Sequence, residues 1–373
     1  MAAAAITPVI MPKWGLEMRE GTITEWRVDE GAQISVGQPI VDIETDKISN
    51  TYEAGDAGLL RRRIAHEGDT LPVKALLGVL APPDVSDAEI DAFIAAYVVP
   101  AASEGEEEGA PAYEFATVDG IRVRYARRGD AASGATPVLF LHGYGGDLNN
   151  WLFNLDAVAE QAPVIALDLP GHGQSDVKLP GASLEALANF VLHFLDALNV
   201  ERVHAVGHSM GGAIGAQMTL GAKHRIASLA LLNSAGLGEE IDAGYIEGFA
   251  SAGSRRELKP LMEQLFADPS LVTRQLIDDV LKYKRLDGVQ ALLTELGTRL
   301  FGGGRQAAQP ARQLSGTAPP LLVVWGRGDR VIPVAHAAHA PAGAKVQVLD
   351  GAGHMAMMEK AAEVNALLRS HVG

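Results

Sequence analysis

Two rhythms of hydrophobic residues divide the chain. In roughly the first eighty positions, apolar and polar residues alternate over short runs, the period of half-buried β-strands. From Tyr113 onward, unbroken apolar runs recur between stretches at helical spacing. Val138-Leu139-Phe140-Leu141, Val164-Ile165-Ala166-Leu167, Leu229-Ala230-Leu231-Leu232 and Leu321-Leu322-Val323-Val324-Trp325 are such runs, and Val346-Gln347-Val348-Leu349 closes the series. Strands this apolar suit a parallel sheet covered on both faces. Phe115–Val118 and Ile121–Tyr125 flank Asp119-Gly120, which predicts an opening hairpin.

The alternating region is an internal repeat. Displaced by about 37 positions, Gly21 falls on Gly58, Glu30-Gly31 on Glu67-Gly68, Ile34 on Leu71, Val36 on Val73 and Ile40 on Leu77. Each half reads strand, Glu-Gly turn, strand, corner, strand. Two such halves predict a small pseudo-symmetric all-β domain of two sheets packed face to face. Between them lies Asp42-Ile43-Glu44-Thr45-Asp46-Lys47-Ile48-Ser49, where one alternating strand runs into Asp46-Lys47 and another leaves it. Lys47 is therefore expected at a hairpin tip. A solvated turn lysine is the commonest fate of such a residue, but this one stands at the junction of the halves.

Ser86-Asp87-Ala88-Glu89 is a capping box, followed at helical spacing by Ile90, Phe93, Ile94, Tyr97 and Val98. A short helix docked on its own neighbour is the favoured reading, over a partner-docking helix. Pro100 to Ala112 is rich in Ala, Glu, Gly and Pro, a composition that stays extended. Its roughly 13 residues could reach about 45 Å. The expected organisation is a small all-β domain at 1–81, a short helix and flexible linker at 82–112, and an α/β domain at 113–373. Within the last, helical and locally basic sequence at about 234–310 interrupts the strand series. Lys282, Lys284 and Arg285 there could meet phosphates, although a solvated helix face fits better.

Composition narrows the chemistry. With 373 residues and ordinary hydrophobicity, a sizeable core can be buried. The absence of cysteine excludes disulfides, thiolate metal sites and a cysteine nucleophile. The net charge of -15 argues against general nucleic-acid binding. No apolar run is long enough to span a bilayer, and Met1–Ala5 lacks the pattern of a signal peptide, so a cytoplasmic protein is expected.

The candidate chemistry gathers at strand ends. Val203–Gly207 runs into His208-Ser209-Met210-Gly211, a G-x-S-x-G elbow that presents Ser209 above a helix N-terminus. Asp329 follows Leu321–Trp325, and His354 follows Val346–Leu349 in a glycine loop. The order Ser, Asp, His is that of a hydrolase triad: Ser209 as nucleophile, His354 as base and acid, Asp329 as the group that orients the imidazole. His208 is expected to face away from the apex. The two oxyanion donors are expected to be the backbone N–H groups of Met210 and Tyr144, the latter in His142-Gly143-Tyr144-Gly145-Gly146. No metal site is expected.

On these residues, 6–80 resemble a lipoyl (biotinyl-type) domain. Glu44-Thr45-Asp46-Lys47 matches that family's signature, and Gly31 and Gly58 match its flanking glycines. The resemblance implies lipoate bound covalently to Lys47. Residues 113–373 resemble an α/β-hydrolase, with a helical lid at about 234–310. His142-Gly143, Asp168–Ser175, Gly207–Gly211, Asp329 and Gly353-His354 carry that likeness in order.

The combination resembles the dihydrolipoyllysine-residue acetyltransferase components of bacterial acetoin dehydrogenase complexes. That likeness implies acetyl transfer from lipoyl-Lys47 to coenzyme A, with an acyl-Ser209 intermediate. It implies two partners, a thiamine-diphosphate-dependent acetoin-cleaving enzyme and dihydrolipoyl dehydrogenase. One feature departs from the acyltransferases of 2-oxoacid dehydrogenases: their H-x-x-x-D-G motif is missing, since Asp287-Gly288 has Tyr283 in the histidine position. Three readings stay open, with transfer favoured over a lipoyl-tethered thioesterase and over a noncatalytic carrier and docking subunit. The acyl group and the oligomeric state are also open.

Overall fold

A computed structural model of the chain describes residues 6–14, 18–45, 49–99, 113–314 and 319–373. Two compact units divide it, Met1–Ala112 and Tyr113–Gly373. The first holds eight strands: β1 (Thr7–Ile10), β2 (Glu20–Trp26), β3 (Gln33–Ile34), β4 (Pro39–Glu44), β5 (Ser49–Glu53), β6 (Gly58–Arg63), β7 (Thr70–Pro72) and β8 (Leu76–Leu80). They form two antiparallel four-stranded sheets, ordered β1-β8-β6-β3 and β5-β4-β2-β7. Ile23, Ile34, Val41, Ile43, Leu60 and Leu77 fill the space between them. The Trp26 indole is anchored there by donating to Ala65 O at 2.9 Å.

The repeat is visible atom by atom. Gly31 and Gly68 turn at φ +89° and +90°, in the left-handed region that favours glycine. A Cβ on Gly21 would lie 2.7 Å from Ile43, and one on Gly58 would lie 3.1 Å from Leu80, the residue 37 positions after Ile43. The halves therefore cross at the same close contact. β4 and β5 pair as far as Glu44 opposite Ser49, leaving residues 45–48 to connect them. Lys47 lies outside the described residues, as do positions 100–112 of the expected tether.

Helix α1 (Asp87–Ala96) starts at the Ser86–Glu89 capping box. It docks on its own unit. Ile90 is buried with Leu76, Val79 and Val85, and Tyr97 donates to Lys74 O at 2.8 Å. Arg61 ties the connection down through Asp87, Pro82 O and Val85 O.

The second unit begins with the hairpin β9 (Glu114–Val118) and β10 (Ile121–Arg128), and continues with β11 (Val138–Leu141), α2 (Leu155–Ala159), β12 (Val164–Leu167), α3 (Leu184–Ala197), β13 (Val203–His208), α4 (Met210–Gly221) and β14 (Ile226–Leu232). Four helices follow, α5 (Ala243–Ser251), α6 (Arg255–Gln264), α7 (Arg274–Lys284) and α8 (Val289–Phe301). The sheet resumes with β15 (Leu321–Gly326) and β16 (Lys345–Leu349), and α9 (Ala356–Glu359) and α10 (Ala361–Val372) close the chain. The sheet order is β16-β15-β14-β13-β11-β12-β10-β9. β9 and β10 pair antiparallel; the six strands from β12 to β16 run parallel. The chain leaves β11 for β12 on one side and returns to β13 on the other. That reversal opens a crevice at the strands' carboxyl ends, where such sheets place ligands.

A buried ion pair braces the loops around that crevice. Arg124 of β10 donates to Asp168, just after β12, at 2.6 Å, and the two side chains are 2% and 0% exposed. Asp168 also accepts from Leu148 N and Gln174 N, while His142 Nε2 accepts from Leu169 N. The loop after β11 is thus tied to the loop after β12. Arg124→Met leaves the buried Asp168 charge without its counter-ion, at an expected cost of about 3–5 kcal/mol. Urea unfolding of the full chain checks this; a midpoint unchanged for the second unit overturns it. Among the described residues no helix is long and apolar enough to cross a membrane.

Candidate active site

The elbow is built by steric necessity. Ser209, between β13 and α4, sits at φ 51° and ψ -118°. A non-glycine residue held there stores about 1–3 kcal/mol of strain. Bonds on both sides hold it: Ser209 N donates to Leu232 O, and Ala235 N donates to Ser209 O. A Cβ on Gly207 would meet Gly211 O at 2.4 Å, and one on Gly211 would meet Leu141 O at 2.2 Å. Only glycine lets the helix start so close to the strands. The serine is buried, and its side chain makes no cap bond to α4.

Asp329 and His354 meet directly, Oδ2 to Nδ1 at 2.9 Å, with side chains 0% and 3% exposed. Oδ1 accepts from Val331 N and Ile332 N, and Oδ2 also accepts from Asn233 Nδ2 at 2.8 Å. Burial pushes the Asp329 carboxyl up, but the His354 charge, the hydrogen bonds to His354 and Asn233, and the Ile332 N–H together hold it below its ordinary range. An ionised Asp329 requires Nδ1 to carry a proton. Nε2 is then the ring nitrogen left to accept a proton. A Ser209–His354 hydrogen bond is not among those the structure makes; such contacts often tighten only with substrate bound.

The two expected oxyanion donors are both unengaged. Neither Tyr144 N–H nor Met210 N–H donates to an acceptor among the described residues. The Tyr144 side chain anchors its loop to the lid, donating to Leu293 O at 2.7 Å and packing edge-on against Phe249 and Phe301.

Two supporting residues escaped sequence reasoning. Asn233, at the carboxyl end of β14, gives Nδ2 to both Asp329 Oδ2 and Gly353 O, the latter at 3.0 Å. A polar residue closing an apolar strand beside the elbow strand was the available signal. His208 was expected to face away from the apex. Instead its ring lies 4.7 Å from the His354 ring, and its Nε2 lies 2.9 Å from His354 O. Burial first, and then the neighbouring His354 charge, keeps His208 well below the ordinary histidine range. It is neutral, with Nε2–H donating to the carbonyl.

Of the basic lid residues, Lys282 and Arg285 are exposed as a solvated helix face requires, and Lys284 departs from it. Lys284 is 8% exposed, and its ammonium caps the end of α5 through Phe249 O and Ala250 O. Burial lowers its pKa to about 8. Lys282 pairs with Asp279 at 2.9 Å, and Arg285 lines a lid groove of about 1000 Å³ with Gln290, Thr294 and Arg299. Among the described residues no group of His, Asp or Glu could hold a metal ion.

Comparison with known proteins follows the two units. Residues 136–361 match the alpha/beta hydrolase fold family, and residues 7–80 match the biotin-requiring enzyme family. A dihydrolipoyllysine-residue acetyltransferase component of an acetoin cleaving system, from Cupriavidus necator, is 59% identical over 99% of this chain and 98% of its own. The chain belongs to that family. A protein of the same name from Pseudomonas putida is 46% identical over 98% of this chain and 99% of its own. Among solved structures, a meta-cleavage product hydrolase from Pseudomonas fluorescens covers 69% of this chain and 96% of its own, with 21% identity and a TM-score of 0.62. That likeness concerns the fold of the second unit alone. The lipoyl fold implies covalently attached lipoate.

Proposed function

We propose that this chain is the acetyltransferase of an acetoin-cleaving multienzyme complex in the cytoplasm, passing acetyl from lipoyl-Lys47 to coenzyme A. The observation that carries the reading is the Asp329–His354 pair, which shares the strands' carboxyl-end face with the elbow serine, in a chain that also holds a lipoyl fold. Lipoate on Lys47 would supply a thiol that carries acetyl as a thioester. The connection between paired strands β4 and β5 is a suitable place for it, since the sheet fixes both ends. Residues 82–112, a docked helix and a tether, keep the carrier at an effective concentration of around millimolar. The partners are a thiamine-diphosphate-dependent enzyme that cleaves acetoin and a dihydrolipoyl dehydrogenase.

Ser209 Oγ attacks the thioester carbonyl as His354 Nε2 takes its proton. Negative charge on the carbonyl oxygen is met by the N–H groups of Tyr144 and Met210 and by the positive end of α4. The C–S bond breaks, His354 returns the proton to the departing thiolate, and acetyl-Ser209 remains. Coenzyme A then enters. His354 takes its thiol proton, sulfur attacks the ester carbonyl, and the proton passes to Ser209 Oγ as acetyl-coenzyme A leaves. Throughout, Asp329 holds the imidazole's orientation and stabilises its cation.

The test follows acetyl-coenzyme A and free acetate separately, with acetyl-dihydrolipoamide as donor. Product that depends on coenzyme A supports transfer. Acetate released at a rate indifferent to coenzyme A makes the chain a tethered thioesterase. Asp329→Asn keeps the shape but lets the amide favour the wrong imidazole tautomer, and the expected fall in kcat is about 10⁴-fold. Transfer within tenfold of wild type would remove Asp329 from the mechanism.

A further inference from the structure

The lid and the loop that carries His354 share one hydrogen-bonded clasp. Past the end of α6, the backbone at Leu265–Asp268 lies against Gly353-His354. His354 N and Met355 N both donate to Leu265 O, at 2.8 and 3.1 Å. A Cβ on Gly353 would fall 2.6 Å from Ala267 N and 2.8 Å from Leu265 O, so the two backbones are in contact. Glu359, at the end of α9, spans both. Its Oε2 accepts from Gly353 N at 2.6 Å. Its Oε1 accepts from Ala267 N at 2.7 Å and Asp268 N at 3.3 Å. The same end of α6 also holds the Asp329 loop. Arg330 donates to Glu263 O and Phe266 O, each at 2.6 Å, and Gln264 donates to Arg330 O at 3.0 Å.

We infer that Glu359 is a positioning residue that makes seating of the lid and alignment of His354 a single event. The inference rests on His354 serving as the base. On the sheet side, His354 is held by His208 through its own carbonyl and by Asn233 through Gly353 O. On the other side, the bonds to Gly353 N, His354 N and Met355 N come from Glu359 and from Leu265 O, while Asp329 holds the ring itself through Nδ1. A lid segment that moves away removes the partner of His354 N and Met355 N, and leaves Glu359 Oε1 without Ala267 N and Asp268 N, so that only the Glu359 Oε2 bond to Gly353 N remains on that side. The imidazole then keeps its Asp329 bond but loses backbone support on one side of the loop that carries it. A displacement of about 1 Å at a catalytic group can cost about 10²-fold in rate. When the lid opens to admit a thioester or coenzyme A, the base is disengaged. It is re-engaged only over a closed site, where water is excluded.

Glu359→Gln tests this in the full-length chain. The amide keeps one acceptor oxygen but turns an NH₂ group toward a backbone N–H, so one side of the clasp is lost. The expected result is a kcat for acetyl transfer lower by about 10- to 100-fold, with KM for coenzyme A within about threefold. Labelling of Ser209 by a fluorophosphonate, which needs neither coenzyme A nor lipoate, should slow by the same factor. Backbone amide exchange at 265–268 and at 353–355 should rise together. Glu359→Asp should restore part of the rate. Arg330→Ala, which unties the Asp329 loop from the end of α6 at an exposed residue, should also slow labelling and provides a second variant if Glu359→Gln folds poorly.

Labelling and kcat equal to wild type per folded molecule overturn the inference. So does faster exchange at 353–355 alone, with 265–268 still protected, which would make Glu359 a local loop brace. If wild type forms no acetyl-coenzyme A yet Glu359→Gln slows labelling, the transfer reading fails and the clasp stands.

Discussion

Ser209→Ala is expected to reduce acetyl transfer at least about 10⁴-fold, because removing the nucleophile of a triad removes the covalent route itself. On the proposed route His354 and Asp329 act only through the serine and cannot compensate. The residue's conformation makes the prediction sharper. Ser209 is held at a positive φ by bonds to Leu232 and Ala235, between two glycines that admit no side chain. Alanine fits the same space, so the fold should survive and a loss of rate can be assigned to the missing oxygen. Burst kinetics with an activated acetyl ester provide the measurement. Wild type should release one equivalent of leaving group ahead of steady turnover, and Ser209→Ala should show no burst. An unchanged rate in Ser209→Ala would sink the acyl-enzyme route and favour a subunit whose hydrolase fold only carries and docks.

Lys47→Arg carries the second large effect. Arginine keeps the charge, but its guanidinium stays protonated and offers no free amine to acylate. The variant should therefore take up no lipoate by mass spectrometry. Flux through the reconstituted acetoin-cleaving complex should fall by at least about 100-fold, since the carrier's millimolar effective concentration is lost. Transfer from free acetyl-dihydrolipoamide should stay within twofold, because Lys47 belongs to the first unit and the triad to the second. The contrast between the two assays is the point of the experiment. Undiminished flux through the complex would show that another lysine carries the acyl group.

These two predictions draw on the part of the molecule that was legible early. The displaced repeat placed Gly21 on Gly58 and Glu30-Gly31 on Glu67-Gly68, and the folded halves show the same close contacts and turn angles at those positions. Such a pattern is readable because strand alternation and left-handed glycine turns are local rules. The unbroken apolar runs likewise marked parallel strands, and four of the five reach full burial. The fifth, β16, is the edge of the sheet and leaves Val346 43% exposed. Its alternating Val-Gln-Val already hinted at one-sided cover.

What stayed hidden depends on neighbours distant in sequence. The chain itself determined the two folds, the serine elbow, and the strand-end positions of Asp329 and His354, because each follows from local steric and hydrophobic patterning. Only the tertiary structure decided how the base is held. It set Asn233 against Asp329 from 96 positions away and His208 against the His354 carbonyl from 146. It also turned Lys284 from an expected surface charge into a buried cap on α5, and let Glu359 join the lid to the histidine loop. Hydrogen bonds between buried polar groups are set by which backbone ends converge at the crossover, and no periodicity in the chain encodes that convergence.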